Sequence, residues 1–184
     1  MKLKILLYVF SIFIFISCEM DKYKTIDFDV FSINVPNSWS KIEVQGIDGY
    51  SGAIITFKKD TIFFDYSEYA SVIDDFVLVQ DIKDYEELKS KGFPINDMFF
   101  SKSSHLDENQ GVFHKEYYLY DTINGYTPKI KIPKKIGKGI TAICFDSLSS
   151  EKIRFYMYAK DLDTIEQFQL LKAFKTIQFE KDLE

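Results

Sequence analysis

AIITFKKDTIFFDY, residues 53–66, reads as two strands and the turn between them. Residues 53–57 and 61–66 are rich in β-branched and aromatic side chains, and Lys58-Lys59-Asp60 is a short polar link of hairpin type. Downstream, four more strand-like runs occupy 112–120, 127–132, 139–146 and 152–159. Asn124-Gly125, the lysine-rich PKKIGK and SLSSE separate them, all with turn chemistry. Upstream, DFDVFSINVP (27–36) predicts a further strand with Phe31, Ile33 and Val35 on its apolar face. Pro36-Asn37-Ser38 then turns the chain and Trp39 re-enters the core.

Helices are few. Asp84 with Glu87 three residues on resembles a capping box and Gly92-Phe93-Pro94 is a stop, which predicts a short helix over 84–91. Residues 72–79 fit a strand or a helix. Asp163-Thr164-Ile165-Glu166 opens a second helix, with Ile165, Phe168, Leu171 and Phe174, beside Leu170, predicted as its core-facing stripe. Lys172 and Lys175 complement the dipole at its end, and 176–179 return as a strand. This inventory predicts an α+β domain with an antiparallel β-sheet packed against a few helices.

The 184 residues have room for one domain and a short appendage. Apolar residues at 46% and charged residues at 28% exclude a disordered chain. The 18 Phe and 12 Tyr against 8 Gly and 4 Pro favour sheet surfaces and thick cores. A net charge of −5 argues against nucleic acid as a partner, because phosphate recognition needs a basic footprint.

The first residues give an address. In MKLKILLYVFSIFIFISC, Lys2 and Lys4 precede an apolar run of signal-peptide proportions, too short to span a bilayer comfortably. The run ends in Phe15-Ile16-Ser17-Cys18, which resembles the lipobox of bacterial lipoproteins, departing from it at Phe15, where Leu is usual. The resemblance implies cleavage of residues 1–17, acylation of Cys18, a lipidated tether over 18–26 and a single domain over 27–184. It implies attachment to a bacterial cell-envelope membrane through N-terminal acyl chains; a plain secretory signal or an uncleaved anchor is the alternative. Glu19, where Asp would signal inner-membrane retention, leans towards the outer membrane and leaves the periplasmic or surface face open. Losing Lys2 and Lys4 makes the remaining body still more acidic, so acyl chains rather than overall charge would hold it there.

Two further resemblances concern the body. An early strand ending in VPNSW, and a late amphipathic helix followed by a last strand, resemble the Mog1/PsbP-like fold in order of elements. TIFFDYSEY (61–69), IPKKIGKGITAICFDSL (132–148) and FQLLKAFKTIQF (168–179) are similar to a group of small Bacteroidetes lipoproteins, with Ser67 standing where that group has Gly. That likeness implies relatives and no particular reaction.

Few residues invite chemistry. Lys129, Lys131, Lys134, Lys135 and Lys138 concentrate positive charge around two glycines, a pattern suited to an anion or an acidic partner. The spacing is not that of a P-loop, and a solvated hairpin tip is the plainer reading. Asp65, Tyr66, Glu68 and Tyr69 place two carboxylates and two rings after a strand, a set suited to acid–base work or carbohydrate contact, though packing explains the rings as simply. His105 and His114 flank DENQG and could approach a metal with Asp107 or Glu108; solvent exposure is the commoner fate. Ser104 or Ser147 lacks any nucleophile-elbow context. Cys144, inside ITAICF, reads as a small buried hydrophobe. Of the pairs Phe63-Phe64, Phe99-Phe100 and Tyr117-Tyr118, alternation turns one ring outward.

These observations predict a lipid-anchored envelope protein without catalytic residues, cofactor or metal, acting as a binding or accessory protein. Its partners would be the membrane and an envelope protein or anionic polymer. A toxin-inhibiting or immunity-type lipoprotein is the second expectation, and a hydrolase using Asp65 and Glu68 the third.

Overall fold

A computed structural model describes residues 22–43, 49–73, 82–92, 98–149 and 152–180. The fold is α+β, built on antiparallel sheets with a few helices. Strands β1 (Tyr23–Asp27), β2 (Phe31–Pro36) and β10 (Gln178–Phe179) form a small sheet in the order β1-β2-β10. The larger sheet holds β3 (Ser40–Glu43), β4 (Tyr50–Ile55), β5 (Thr61–Ser67), β6 (Glu116–Tyr120), β7 (Lys129–Pro133), β8 (Ile140–Phe145) and β9 (Arg154–Lys160). Its order is β3-β4-β5-β9-β8-β7-β6, with every neighbouring pair antiparallel. The chain leaves β5, passes α1 (Ile82–Ser90) and α2 (Ser104–Gln110), and enters the far edge at β6. It then works back through β7 and β8 to place β9 beside β5. Helix α3 (Thr164–Phe174) packs against β2 and β8.

The stretch 27–36 is not one strand. Asp29 sits at φ 67°, its N–H donates to Asp27 Oδ1 at 2.9 Å, and Phe28 N–H reaches Phe31 O at 2.9 Å. A tight turn therefore divides the segment, and residues 23–26, polar enough to predict a tether, are edge strand β1, paired from Tyr23↔Pro36 to Asp27↔Ser32. The helix expected over 84–91 begins earlier, at Ile82, so Asp84 lies inside α1 rather than capping it. Most of 72–79 lies outside the described residues.

Alternation along β5 decides the core. Ile62, Phe64 and Tyr66 are buried against the small sheet and α3, while Phe63 turns to the other face and stacks on Tyr158 at 5.7 Å. Phe28 stacks on Phe31 and Phe64 on Phe155, and the two stacks meet edge to face, with centroids 4.6 Å apart for Phe28–Phe64 and 4.7 Å for Phe31–Phe155. Each such ring contributes about 1.5–3 kcal/mol by burial alone. The opposite face carries a smaller cluster, in which Ala70 and Ile73 cover Ala142, Cys144 and Tyr156. The β6 edge is closed at one point by Gln110, whose amide donates to Tyr118 O and accepts from Tyr118 N–H, as a neighbouring strand would.

Helix α3 corrects the predicted stripe. Asp163 caps it as expected, accepting from the N–H groups of Ile165 and Glu166. The buried face, however, runs through Glu166, Gln167, Leu170, Ala173 and Phe174, while Ile165 and Phe168 point outward. Leu170 and Phe174 anchor the helix, and residues three, four and seven positions before them share their face. Glu166 is also held inward, because its Oε1 accepts Lys58 N–H from the β4–β5 turn at 3.2 Å.

Candidate functional site

The five lysines do not form one patch. On β7, Lys129 is buried; its Nζ donates to Ile73 O at 2.9 Å and lies 5.0 and 5.5 Å from the ring centroids of Tyr118 and Tyr120. The Lys134 side chain has 0% exposure; its ammonium pairs with Asp107 at 2.7 Å and donates to Phe99 O at 3.0 Å and Gly111 O at 2.6 Å. Lys131 is half-buried, and Lys135 and Lys138 are exposed in the turn, linked by their own bridge. Glu116 braces that turn: its Oε1 accepts Ile140 N–H at 2.8 Å, and a Cβ on Gly139, at φ 122°, would meet the same oxygen at 2.6 Å. Two of the lysines that suggested an anion site are therefore internal struts.

The histidine idea changes in the same way. DENQ is not loop but the body of α2, where Asn109 Nδ2 lies 3.0 Å from His105 Nδ1. Asp107, the carboxylate considered as a ligand, is buried and accepts Ser101 N–H besides pairing with Lys134. Ser104 opens α2, and the Ser147 hydroxyl donates to Ser149 O at 3.4 Å. Burial, with the Asp146 carboxylate nearby, pushes the Cys144 thiol up to about 12, so it holds its proton at physiological pH.

The acidic and aromatic run behaves differently. Asp65 lies on the opposite face of β5 from Tyr66 and accepts the Ser67 hydroxyl at 2.9 Å. Tyr66, Ser67, Glu68 and Tyr69 instead line an open cleft of about 340 Å³, completed by Val30, Gly49, Tyr50 and Ile153. Asp65 is outside that lining, so the two carboxylates of the run share no cavity.

Three elements shape this cleft. The β1–β2 turn supplies Val30, and the start of β4 brings Gly49 and Tyr50 over β5. Ile153 precedes β9, whose first residue Arg154 pairs with Ser67. Gly49 is required by this approach, since a Cβ there would stand 2.8 Å from Ser67 Cβ. Sequence reading missed Val30, Gly49, Tyr50 and Ile153.

The cleft is apolar on its walls and charged at its rim. Tyr66 is 7% exposed, and its hydroxyl has no hydrogen-bond partner among the described residues. Burial raises its pKa above the ordinary tyrosine value, so the phenol remains a proton donor at neutral pH. At the rim stand the exposed Glu68 and Tyr69, with Arg154 Nη1 donating to Glu68 O at 3.3 Å. Such a surface suits a small neutral molecule with one apolar face and one hydrogen-bond acceptor. Among the described residues, no three His, Cys, Asp or Glu side chains gather to hold a metal ion. Comparison of the sequence with protein-family models and with curated proteins gives no match.

Proposed function

We propose that this chain is a lipid-anchored protein of the bacterial cell envelope that acts by binding, with the Tyr50–Tyr66–Tyr69 cleft as its ligand surface. The observation that carries the reading is the run from Lys2 to Cys18: a basic start, a short apolar stretch, then Ile16-Ser17-Cys18. The likeness of residues 61–69, 132–148 and 168–179 to small Bacteroidetes lipoproteins points the same way. The cleft supports binding over catalysis because the Tyr66 hydroxyl is a donor kept protonated, Ser67 is bonded to Asp65, and Asp65 itself lies outside the lining. The reading favours the outer membrane over the inner through Glu19.

The test is intact mass of the protein extracted from a bacterial host that acylates lipoproteins. The expected N-terminal peptide begins at Cys18 and carries acyl chains, and Cys18→Ala leaves the precursor uncut. A natural product with an unmodified residue 18, or one recovered entirely from cytosol, overturns the anchor. Binding is read separately, by screening neutral glycans against the mature protein for signals that Tyr66→Phe and Tyr69→Ala abolish. Catalytic turnover of a glycan overturns the binding-only reading, and turnover that survives Asp65→Ala with Glu68→Ala excludes those two carboxylates as its source.

A further inference from the structure

Four exposed apolar side chains, Phe57, Ile136, Ile165 and Phe168, gather at one end of the domain, the end where the chain enters β1, while Tyr69 is exposed at the cleft. Pairing of Ser40 with Ile55 puts the β2–β3 turn level with the β4–β5 tip. Asn37 N–H in that turn donates to Lys22 O at 3.1 Å, which fixes the entry of the chain there. Tyr23, the first residue of β1, lies under Lys172 of α3, whose ammonium is 4.6 Å from its ring centroid. Lys172 is one turn after Phe168 on the outward face of that helix.

Two tips converge on the same end. In the β4–β5 turn, Lys58 pairs with Asp163 and donates its N–H to Glu166, so the adjoining Phe57 stands beside the start of α3. In the β7–β8 turn, Gly137 N–H donates to Leu162 O at 3.1 Å, which brings Ile136 to the β9–α3 connection. Phe57 is 76% exposed, Phe168 68%, Ile165 63% and Ile136 50%. Four large apolar side chains from two hairpin tips and one helix are thus turned to water at one end. Lys22, Lys59, Lys135, Lys138 and Lys172 are exposed among them, on a chain whose net charge is −5. Of the acids there, Asp163 caps α3 and pairs with Lys58, Asp161 accepts Gly139 N–H at 2.7 Å, and Asp60 in the β4–β5 turn is hydrogen-bonded with Glu166.

We infer that this end docks on the surface of the bilayer that holds the anchor, with Phe57, Ile136, Ile165 and Phe168 dipping to the headgroup boundary and the lysines among anionic headgroups. The inference rests on the proposed acylation of Cys18. From Cys18 to Lys22 are four residues, which span at most roughly 14 Å when fully extended. A leash that short keeps the entry end within reach of the membrane, and interfacial side chains bury about 5–10 Å into that boundary. The cleft lies at the other end of β5, a strand of seven residues, so roughly 20 Å separates it from the docked tips. Docking therefore presents the cleft away from the lipid.

The experiment uses the full acylated chain in vesicles of phosphatidylethanolamine and phosphatidylglycerol, with and without brominated acyl chains. Phe168→Trp and Phe57→Trp are compared with Tyr69→Trp at the cleft, Trp39 being common to all three. The expected result is a blue-shifted, roughly twofold quenched emission for the first two and no quenching for the third. Equal quenching in all three, or in none, overturns docking while leaving the anchor intact. A concentration-dependent blue shift of Phe168→Trp without lipid identifies a second copy of the chain as the occupant, and overturns it too. An N-terminal peptide without acyl mass overturns the anchor and, with it, the short leash on which docking depends.

Discussion

Lys134 and Lys135 are neighbours in the chain and opposites in the fold. The first is wholly enclosed, with its ammonium on Asp107, Phe99 O and Gly111 O; the second stands in water at a turn. The acidic run 65–69 shows the reverse arrangement. Its charged groups Glu68 and Asp65 are exposed or half-buried, Ser67 is bonded to Asp65, and the enclosed Tyr66 hydroxyl has no partner among the described residues. The lysine segment has its polar groups satisfied from within, which makes it scaffold. The tyrosine run leaves one enclosed donor unpaired among the described residues, beside a cleft, which makes it the better place for a ligand.

The largest test of this contrast is Lys134→Ala. It leaves the buried Asp107 carboxylate without its cation and costs about 3–5 kcal/mol, because the remaining charge stays desolvated. Lys135→Ala changes stability by no more than about 0.5 kcal/mol. Urea unfolding of the two variants measures both, and Lys134→Met with Asp107→Leu recovers much of the loss. Similar midpoints for Lys134→Ala and Lys135→Ala would erase the distinction. A second pair sharpens it: Lys129→Ala removes the ammonium bonded to Ile73 O and costs about 1.5–3 kcal/mol, the range of a charged hydrogen bond. Lys131→Ala costs less, since Lys131 is only half-buried.

What could be read beforehand follows from which interactions are local. The β4–β5 hairpin, the four later strands and the Asp163 cap are set by residues within a few positions of one another, so their patterns showed. The α2 helix, Ser104–Gln110, did not show, because its one buried residue is an aspartate whose partner is Lys134. Periodicity scores apolar residues and passes over a buried ion pair. In α3 the apolar series 165–168–171 and the buried series 166/167–170–173/174 are both helical spacings. Hydrophobicity alone favours the apolar series, and the difference is informative: apolar side chains on an outward helix face need an account that core packing does not supply. The cleft was half legible. Residues 66–69 were visible as a cluster, but Val30 and Ile153 reach it from the β1–β2 turn and the start of β9, through pairings no local pattern encodes.

The first turn of α3 repeats the contrast between engaged and unengaged polar groups on a smaller scale. Asp163 is held below the usual carboxylate range by the Glu166 N–H and by Lys58, while Glu166 is pushed above it by burial and by its hydrogen bond with Asp60. Between the unfolded value of a glutamate and the raised folded one, the native chain holds a proton that the unfolded chain has released. Stability on this account is greatest below that window and declines as pH rises through it. Glu166→Gln keeps an oxygen for Lys58 N–H and removes the titration. Its melting temperature relative to wild type is therefore expected to climb from pH 4 to pH 7. A parallel pair of curves would show that Glu166 is as well solvated as Asp163.

Tyr66→Phe has the smallest effect on the fold and the most to say about the cleft. A buried hydroxyl without a partner carries a desolvation cost and returns no hydrogen bond, so its removal leaves stability within about 0.5 kcal/mol of wild type or slightly above it. The ring keeps its place beside Phe179, at 6.4 Å between centroids, since that contact does not involve the oxygen. A loss of more than about 1 kcal/mol in urea unfolding would mean that the hydroxyl is already satisfied in solution. The cleft would then offer a ligand no open donor, and the difference between the tyrosine run and the lysine segment would vanish. A neutral stability with weakened glycan binding assigns the hydroxyl to the ligand, because a donor that contributes nothing to the fold can lose affinity only through what it binds.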